Sequence, residues 1–225
     1  EGYAPASIDE VSEPFLYSLS EHNWIWGYDM TTDLAMGNPY ATSSAWIRSF
    51  SGDGYSAGTQ VYSCINRLLY DRIPESDVRK GWWVDASLKS PLLEHVTWDG
   101  VSGDAVAGLT IDNVKMAFLP YTNVKFGMNT VGGTLNDDDW PFMRVEEMIL
   151  IQIEGLAKSG SPAQAKAMLE DFIRAYRDPA YSADAAGRSL EDEIWFQRRV
   201  ELWGEGFSNN DTRRLNKPLV RFHGG

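Results

Sequence analysis

The chain predicts a mainly α fold, with antiparallel helix pairs in its C-terminal part and a loop-rich region carrying a few short β-strands before them. Three observations carry this. Ala165, Met168, Leu169, Phe172, Ile173 and Tyr176 recur at helical spacing, so one apolar stripe runs down a helix. The segments beginning at Arg144 and at Ser189 are also helical, and Gly160 leaves only a short link between the first and second helices. Short links make antiparallel neighbours. Upstream, alternation and turn residues replace the helical period. Residues 1–141 are therefore read as a loop-rich mixed region carrying the ligand side, and residues 142–225 as a helical region. Together they make one compact unit.

Taken in order, residues 7–20 predict a short helix and turn, limited by Pro14. Asn23 to Met30 alternates as a strand, with Trp24, Trp26 and Tyr28 on one face. Those rings either point inward from a half-buried strand or form an outward platform. Thr31 to Gly58 is rich in turn residues and holds Trp46, Phe50 and Tyr55. Long irregular stretches often carry function, so part of a ligand site is placed here. Asp53-Gly54 lacks the full spacing of a calcium loop, and no metal is expected.

Val61 to Arg72 reads as a helix with Val61, Ile65, Leu68, Leu69 and Arg72 on one side, ended by Pro74. Trp82, Trp83 and Trp98 bracket broken strand patterns, and Trp98-Asp99-Gly100 looks like a hairpin end. Ser102 to Gly108 reads as a small, polar tip, and 115–126 as strand-like pieces. The run Asp137-Asp138-Asp139 is expected to cap the next helix. Ser161, Pro162 and Gln164 open the middle helix, and Asp178-Pro179 closes it. Ser189 caps the last helix, and Gly204 and Gly206 break it.

That last helix mixes Arg198, Glu201 and Glu205 with Ile194 and Leu202 near one face. Buried charges need partners, and Arg144 and Glu147 on the first helix are the nearest candidates. The pattern reads as a structural ion-pair network. A catalytic carboxylate pair is the weaker alternative, since nothing nearby supplies a nucleophile or separates two carboxyl pKa values.

The net charge of −12 disfavours nucleic acid or an anionic membrane as partner. Nine Trp and ten Tyr exceed what a core of this size needs and suit flat stacking surfaces. A single cysteine, Cys64, allows no intrachain disulfide and reads as a buried, inert thiol. No run of 18 apolar residues spans a membrane. The nucleophile-elbow, phosphate-loop, dinucleotide and zinc-protease motifs are absent, and the three histidines are scattered. No cofactor and no catalytic residue is assigned.

Arg144, Glu147, Leu150, Glu154 and Leu156, then Arg198, Glu201, Leu202, Glu205, Gly206, Asp211 and Arg214 form a pattern that resembles the C-terminal half of SusD/RagB proteins. Leu68-Leu69-Tyr70 with Asp77 and Arg79 extends the likeness upstream. Departures are Gln197 at a usual Glu, Glu146 at a usual Ala, and Phe207 near a usual Arg. The resemblance implies a SusD-like fold with tetratricopeptide-like helix pairs and a core role for Asp77 and Arg79. It also favours the inward reading of the Trp24–Tyr28 strand.

In function, the resemblance implies a non-enzymatic glycan-binding lipoprotein of Bacteroidetes polysaccharide-uptake systems. Such a protein sits on the outer-membrane surface and hands oligosaccharide to a SusC-like TonB-dependent transporter. Members are longer and lipid-anchored, so this chain is expected to be a portion of one, without the anchor. Trp46, Tyr55, Trp82, Trp83 and Trp98 are the candidate sugar-stacking residues. A tetratricopeptide-like scaffold for a protein partner, or a peptide-binding member of the same family, are the alternatives.

Overall fold

The computed structural model describes residues 2–16, 18–31, 33–34, 64–98, 100–108, 119–127 and 138–220, with backbone alone at 98 and 106–108. The fold is mainly α. Helix α1 (Ile8–Val11) opens on a capping box between Ser7 and Glu10. Strand β1 (Trp24–Tyr28) follows. Helix α2 is confined to Arg67–Tyr70 with Asn66 as its cap. It is shorter than the Val61–Arg72 helix expected, because Cys64 is spent on a bridge to Thr122. Ile65 and Leu69 are buried, but Leu68 faces solvent.

Two 3-10 turns, Val78–Trp82 and Pro91–His95, lead to a minimal hairpin of β2 (Thr97–Trp98) and β3 (Val101–Ser102). Gly100 supplies the positive φ, +74°, that such a turn requires. The expected polar tip at 102–108 is instead β3 running into a third 3-10 turn, Gly103–Gly108. Asp104 accepts from the Ser90 backbone there.

Strand β4 (Trp140–Arg144) runs directly into α3 (Val145–Lys158). Gly160, at φ +90°, turns the chain into α4 (Pro162–Tyr176). Ser161 makes no side-chain cap here, unlike the expectation. The reversal places its backbone outside the extended geometry a capping serine needs, and Pro162 at the first position has no N–H to satisfy. Ser189 does cap α5 (Leu190–Glu201), accepting from Asp192 N at 3.2 Å. Gly204 and Gly206, both at positive φ, end that helix and start α6 (Phe207–Arg214), which the period alone did not separate.

Two apolar cores result. Leu150 and Ile153 of α3 meet Leu169, Phe172 and Ile173 of α4 and Ile194 of α5. The second core gathers Val11, Phe15, Trp24, Leu69, Trp82, Trp83, Leu93 and Phe126 with Phe196 and Val200. Helix α5 therefore faces both. Cys64 is exposed rather than buried, with Sγ 3.6 Å from Thr122 Oγ1.

Candidate functional site

Strands β1 and β4 pair antiparallel as a two-stranded ribbon. Trp24 lies opposite Arg144 and Tyr28 opposite Trp140, with register shifts between Trp24 and Trp26 and again between Trp26 and Gly27. A bulge re-aims the side chains on either side of it. Trp24 is buried, but Trp26 is 61% exposed and Tyr28 42%. The inward reading of this strand thus holds for Trp24 and fails for Trp26 and Tyr28.

From β4, Phe142 is also exposed and Trp140 half-buried. Four rings run on from one another across the ribbon. Trp26 and Phe142 lie 5.2 Å apart, Phe142 and Trp140 6.3 Å, and Trp140 and Tyr28 5.9 Å. This is a contiguous aromatic surface rather than scattered rings.

Gly27 is what lets the strands close beneath it. A Cβ there would sit 2.6 Å from the Trp140 carbonyl oxygen and 2.5 Å from Leu19. Asp139 ties the open end, accepting from Leu19 N at 2.7 Å and Met30 N at 2.8 Å. It therefore does not cap the next helix as expected, because β4 intervenes before α3.

The other end of the ribbon is fixed in a buried ion network. Arg144, the last residue of β4, donates to Glu205 through Nε and Nη2, both at 2.8 Å, and to the Glu201 carbonyl at 3.1 Å. Its Nη1 lies 3.0 Å from Glu146 Oε2. Glu146 in turn accepts from Asn23 Nδ2 and Ala6 N, holding the start of β1 and the N-terminal segment. Arg177 bonds Glu201 through Nε at 2.8 Å and Nη2 at 2.9 Å, and Arg79 links Asp77, Gln197 and Glu201. Lys125 spends three donors on the Glu201 and Trp203 carbonyls and Glu205.

Four cations (Arg79, Lys125, Arg144, Arg177) thus face four carboxylates (Asp77, Glu146, Glu201, Glu205), and the charges balance. Burial opposes ionisation of Glu201, but the Arg177, Arg144 and Arg79 guanidiniums outweigh it and hold the carboxyl well below its usual range. Burial also pushes Lys125 down to about 8, with Glu205 offsetting part of that. The departures at Glu146 and Gln197 fall in this one network. Glu146 supplies one of its four carboxylates, and the Gln197 amide oxygen accepts from Arg79 at 2.5 Å.

Outside the network, Arg198 pairs with Asp211 at 2.8 Å, and Asp211 also takes Arg214 at 2.7 Å. Glu147, expected to join Arg198, has no ion pair among the described residues. Burial raises its carboxyl pKa, with Arg198 opposing from a distance.

The candidate stacking residues are placed as follows. Trp82 and Trp83 are fully buried, which corrects the expectation that they present a platform. Trp82 Nε1 donates to the Val11 carbonyl at 2.8 Å, and Trp83 stands edge-on to Trp203 with ring centroids 5.5 Å apart. They are core because the chain packs apolar segments on both sides of them. Trp98 pairs with Val101, and its side chain is outside the described atoms. Trp46 and Tyr55, and the Asp53-Gly54 turn, lie outside the described residues. An open cleft of about 510 Å³ also reaches Trp83, lined by Tyr70, Lys80, Asp85 and Asp104 among others. Among the described residues no cluster of His, Cys, Asp and Glu is arranged to hold a metal, and no helix is long and apolar enough to cross a membrane.

Helix pairs feeding a short ribbon through a buried ion network define a mainly α protein with an outward aromatic face. The SusD family model matches residues 97–224, more than half of the chain, and the chain belongs to that family. Its fold is similar to a SusD-like carbohydrate binding protein from Bacteroides vulgatus ATCC 8482, at 24% identity and a TM-score of 0.65, covering 99% of this chain and 40% of that one. It is also similar to a SusD superfamily protein from Bacteroides thetaiotaomicron VPI-5482, at 19% identity and a TM-score of 0.59, covering 96% of this chain and 42% of that one. The chain thus spans about two fifths of the length of these structures. No curated protein matches it.

Proposed function

We propose that this chain is part of a non-catalytic carbohydrate-binding protein of an outer-membrane polysaccharide-uptake system, and that the Trp26–Phe142–Trp140–Tyr28 surface stacks against sugar rings. The protein is lipid-anchored at the cell surface and passes oligosaccharide to a SusC-like TonB-dependent transporter. The observation that carries the site assignment is the exposure of Trp26, Tyr28 and Phe142 in one run of touching rings. Indole and phenol rings offer flat apolar faces with a polar edge, and a pyranose offers C–H groups on one face and hydroxyls at its rim. The acidic chain suits a neutral sugar better than an anionic one.

The ligand side is assigned to residues 1–141 extended by Phe142, with Trp46, Tyr55 and Trp98 as further stacking residues. Calorimetric titration against starch-, xylan-, mannan- and host-glycan-derived oligosaccharides tests this reading. A saturable heat with one class is the expected result. Silence across the panel from the folded chain rejects binding by these residues and shifts weight to a scaffold for a protein or peptide.

A further inference from the structure

The aromatic face of the ribbon depends on register, and the ribbon's own ladder gives that register little support. It has two strands, and no further strand joins it among the described residues. Two register shifts fall within the five residues of β1. Pro141, opposite Gly27, has no N–H to give. A one-residue slip turns every side chain of a strand to the other face, which would carry Trp26 and Tyr28 inward. Asp139 stands where this can be prevented. It directly precedes Trp140, the partner of Tyr28. Its two carboxylate oxygens accept from backbone amides on either side of β1, Oδ2 from Leu19 at 2.7 Å and Oδ1 from Met30 at 2.8 Å. Leu19, so held, lies against Gly27, where an added Cβ would meet its Cδ2 at 2.5 Å. While Asp139 holds Leu19 to β4, a side chain slipped into the Gly27 position meets that same methyl.

We infer that Asp139 is the positioning residue of the ligand face: its carboxylate fixes β1 on β4 in the register that turns Trp26 and Tyr28 outward, and sugar affinity depends on it without contact to the sugar. The two bonds span 120 and 109 positions of sequence, so they join the segments before and after β1 to the start of β4. Each oxygen is engaged by an amide, and the carboxylate is committed to the backbone. Arg144 fixes the far end of β4. The shifts between Trp24 and Trp26 and between Trp26 and Gly27 separate that end from Tyr28, so the ion network does not by itself set the register there. The ring contacts follow from the register. Trp26 meets Phe142 and Tyr28 meets Trp140 across the two strands, at 5.2 and 5.9 Å, and both pairs come apart when either strand slips.

The sugar part of this inference rests on the proposed carbohydrate function, and the register part does not. The test combines NMR of the whole chain, reading the two ring contacts as nuclear Overhauser effects, with titration by maltose, cellobiose, xylobiose and mannobiose. Asp139→Ala removes both acceptors. It is expected to lose the Trp26–Phe142 and Tyr28–Trp140 contacts and to weaken binding by the folded protein about tenfold. Asp139→Asn keeps one acceptor oxygen and is expected to fall between wild type and Asp139→Ala. If Asp139→Ala does not fold, the Asn variant carries the test. A residue that only stabilises the chain lowers the melting temperature and leaves ring contacts and affinity as they were, and that result overturns the inference. Affinity lost with both ring contacts intact would mean direct contact with the sugar and also overturns it. Absence of binding in the wild type overturns the sugar part together with the proposed function, and the ring contacts then still decide the register.

Discussion

Glu201→Gln is the sharpest perturbation of the fold. Glu201 is fully buried, and three guanidiniums converge on its carboxylate: Arg177 at 2.8 and 2.9 Å, Arg79 at 3.3 Å and Arg144 at 3.4 Å. Glutamine keeps the volume but removes the charge and turns an N–H₂ toward donors. The balanced network becomes four cations against three carboxylates, with one positive charge buried and uncompensated. Removing one partner of a buried pair costs about 3–5 kcal/mol, a large share of a total stability of about 5–15 kcal/mol. At about 2–4 °C per kcal/mol for a chain of this size, the melting temperature falls by roughly 6–20 °C. Urea titration followed by circular dichroism reads the free energy directly. Lys166→Ala is the internal control. Its partner Asp184 is 81% exposed, and an ion pair of that kind is worth no more than about 1 kcal/mol. If Glu201→Gln costs no more than Lys166→Ala, the network is not what holds these elements together.

Gly204→Ala should lower stability by about 1–3 kcal/mol, because Gly204 sits at φ +79° and a Cβ would lie 2.6 Å from the Phe126 ring. A thermal melt checks it, and an unchanged midpoint contradicts the packing described. Arg214 and Lys158 hold Glu154 down at about 2, against an ordinary 4.5. A depressed carboxyl stabilises above its unfolded pKa, and that contribution is lost as pH falls from about 4.5 toward 2. Arg214→Gln should therefore flatten the stability profile across that window and leave its shape near pH 7 unchanged.

The helical part was legible because burial there follows one period. Ala165, Leu169, Phe172 and Ile173 are buried where the stripe placed them. Glycines at 160, 204 and 206 marked real reversals, since each adopts a φ that other residues avoid. Charges set among apolar residues at Arg198, Glu201 and Glu205 pointed to buried pairing, although the partners were only partly named. Arg177 and Lys125 were missed, because they bond across long sequence separations that no local pattern records.

The ribbon face was harder to read for a different reason. Strict alternation puts Trp24, Trp26 and Tyr28 together, and only the bulge separates the first from the others. A bulge depends on the partner strand, which lies more than a hundred residues away. Trp82 and Trp83 failed the opposite way. Abundant tryptophan suggested a surface, whereas these two are the largest fully buried side chains among the described residues.

The account stands most directly on whether the outward rings of the ribbon bind sugar. The decisive measurement compares wild type with Trp26→Ala Phe142→Ala by calorimetry, using whichever oligosaccharide gives a saturable heat. Both side chains are exposed and neither makes an ion pair of the network, so the variant should melt close to wild type. Stacking on an aromatic side chain is worth about 1–3 kcal/mol, by analogy with nucleic-acid bases on such rings. The account predicts affinity reduced at least about fivefold, with the fold intact. Equal affinity in the folded variant would contradict it and move the sugar-binding surface off this ribbon.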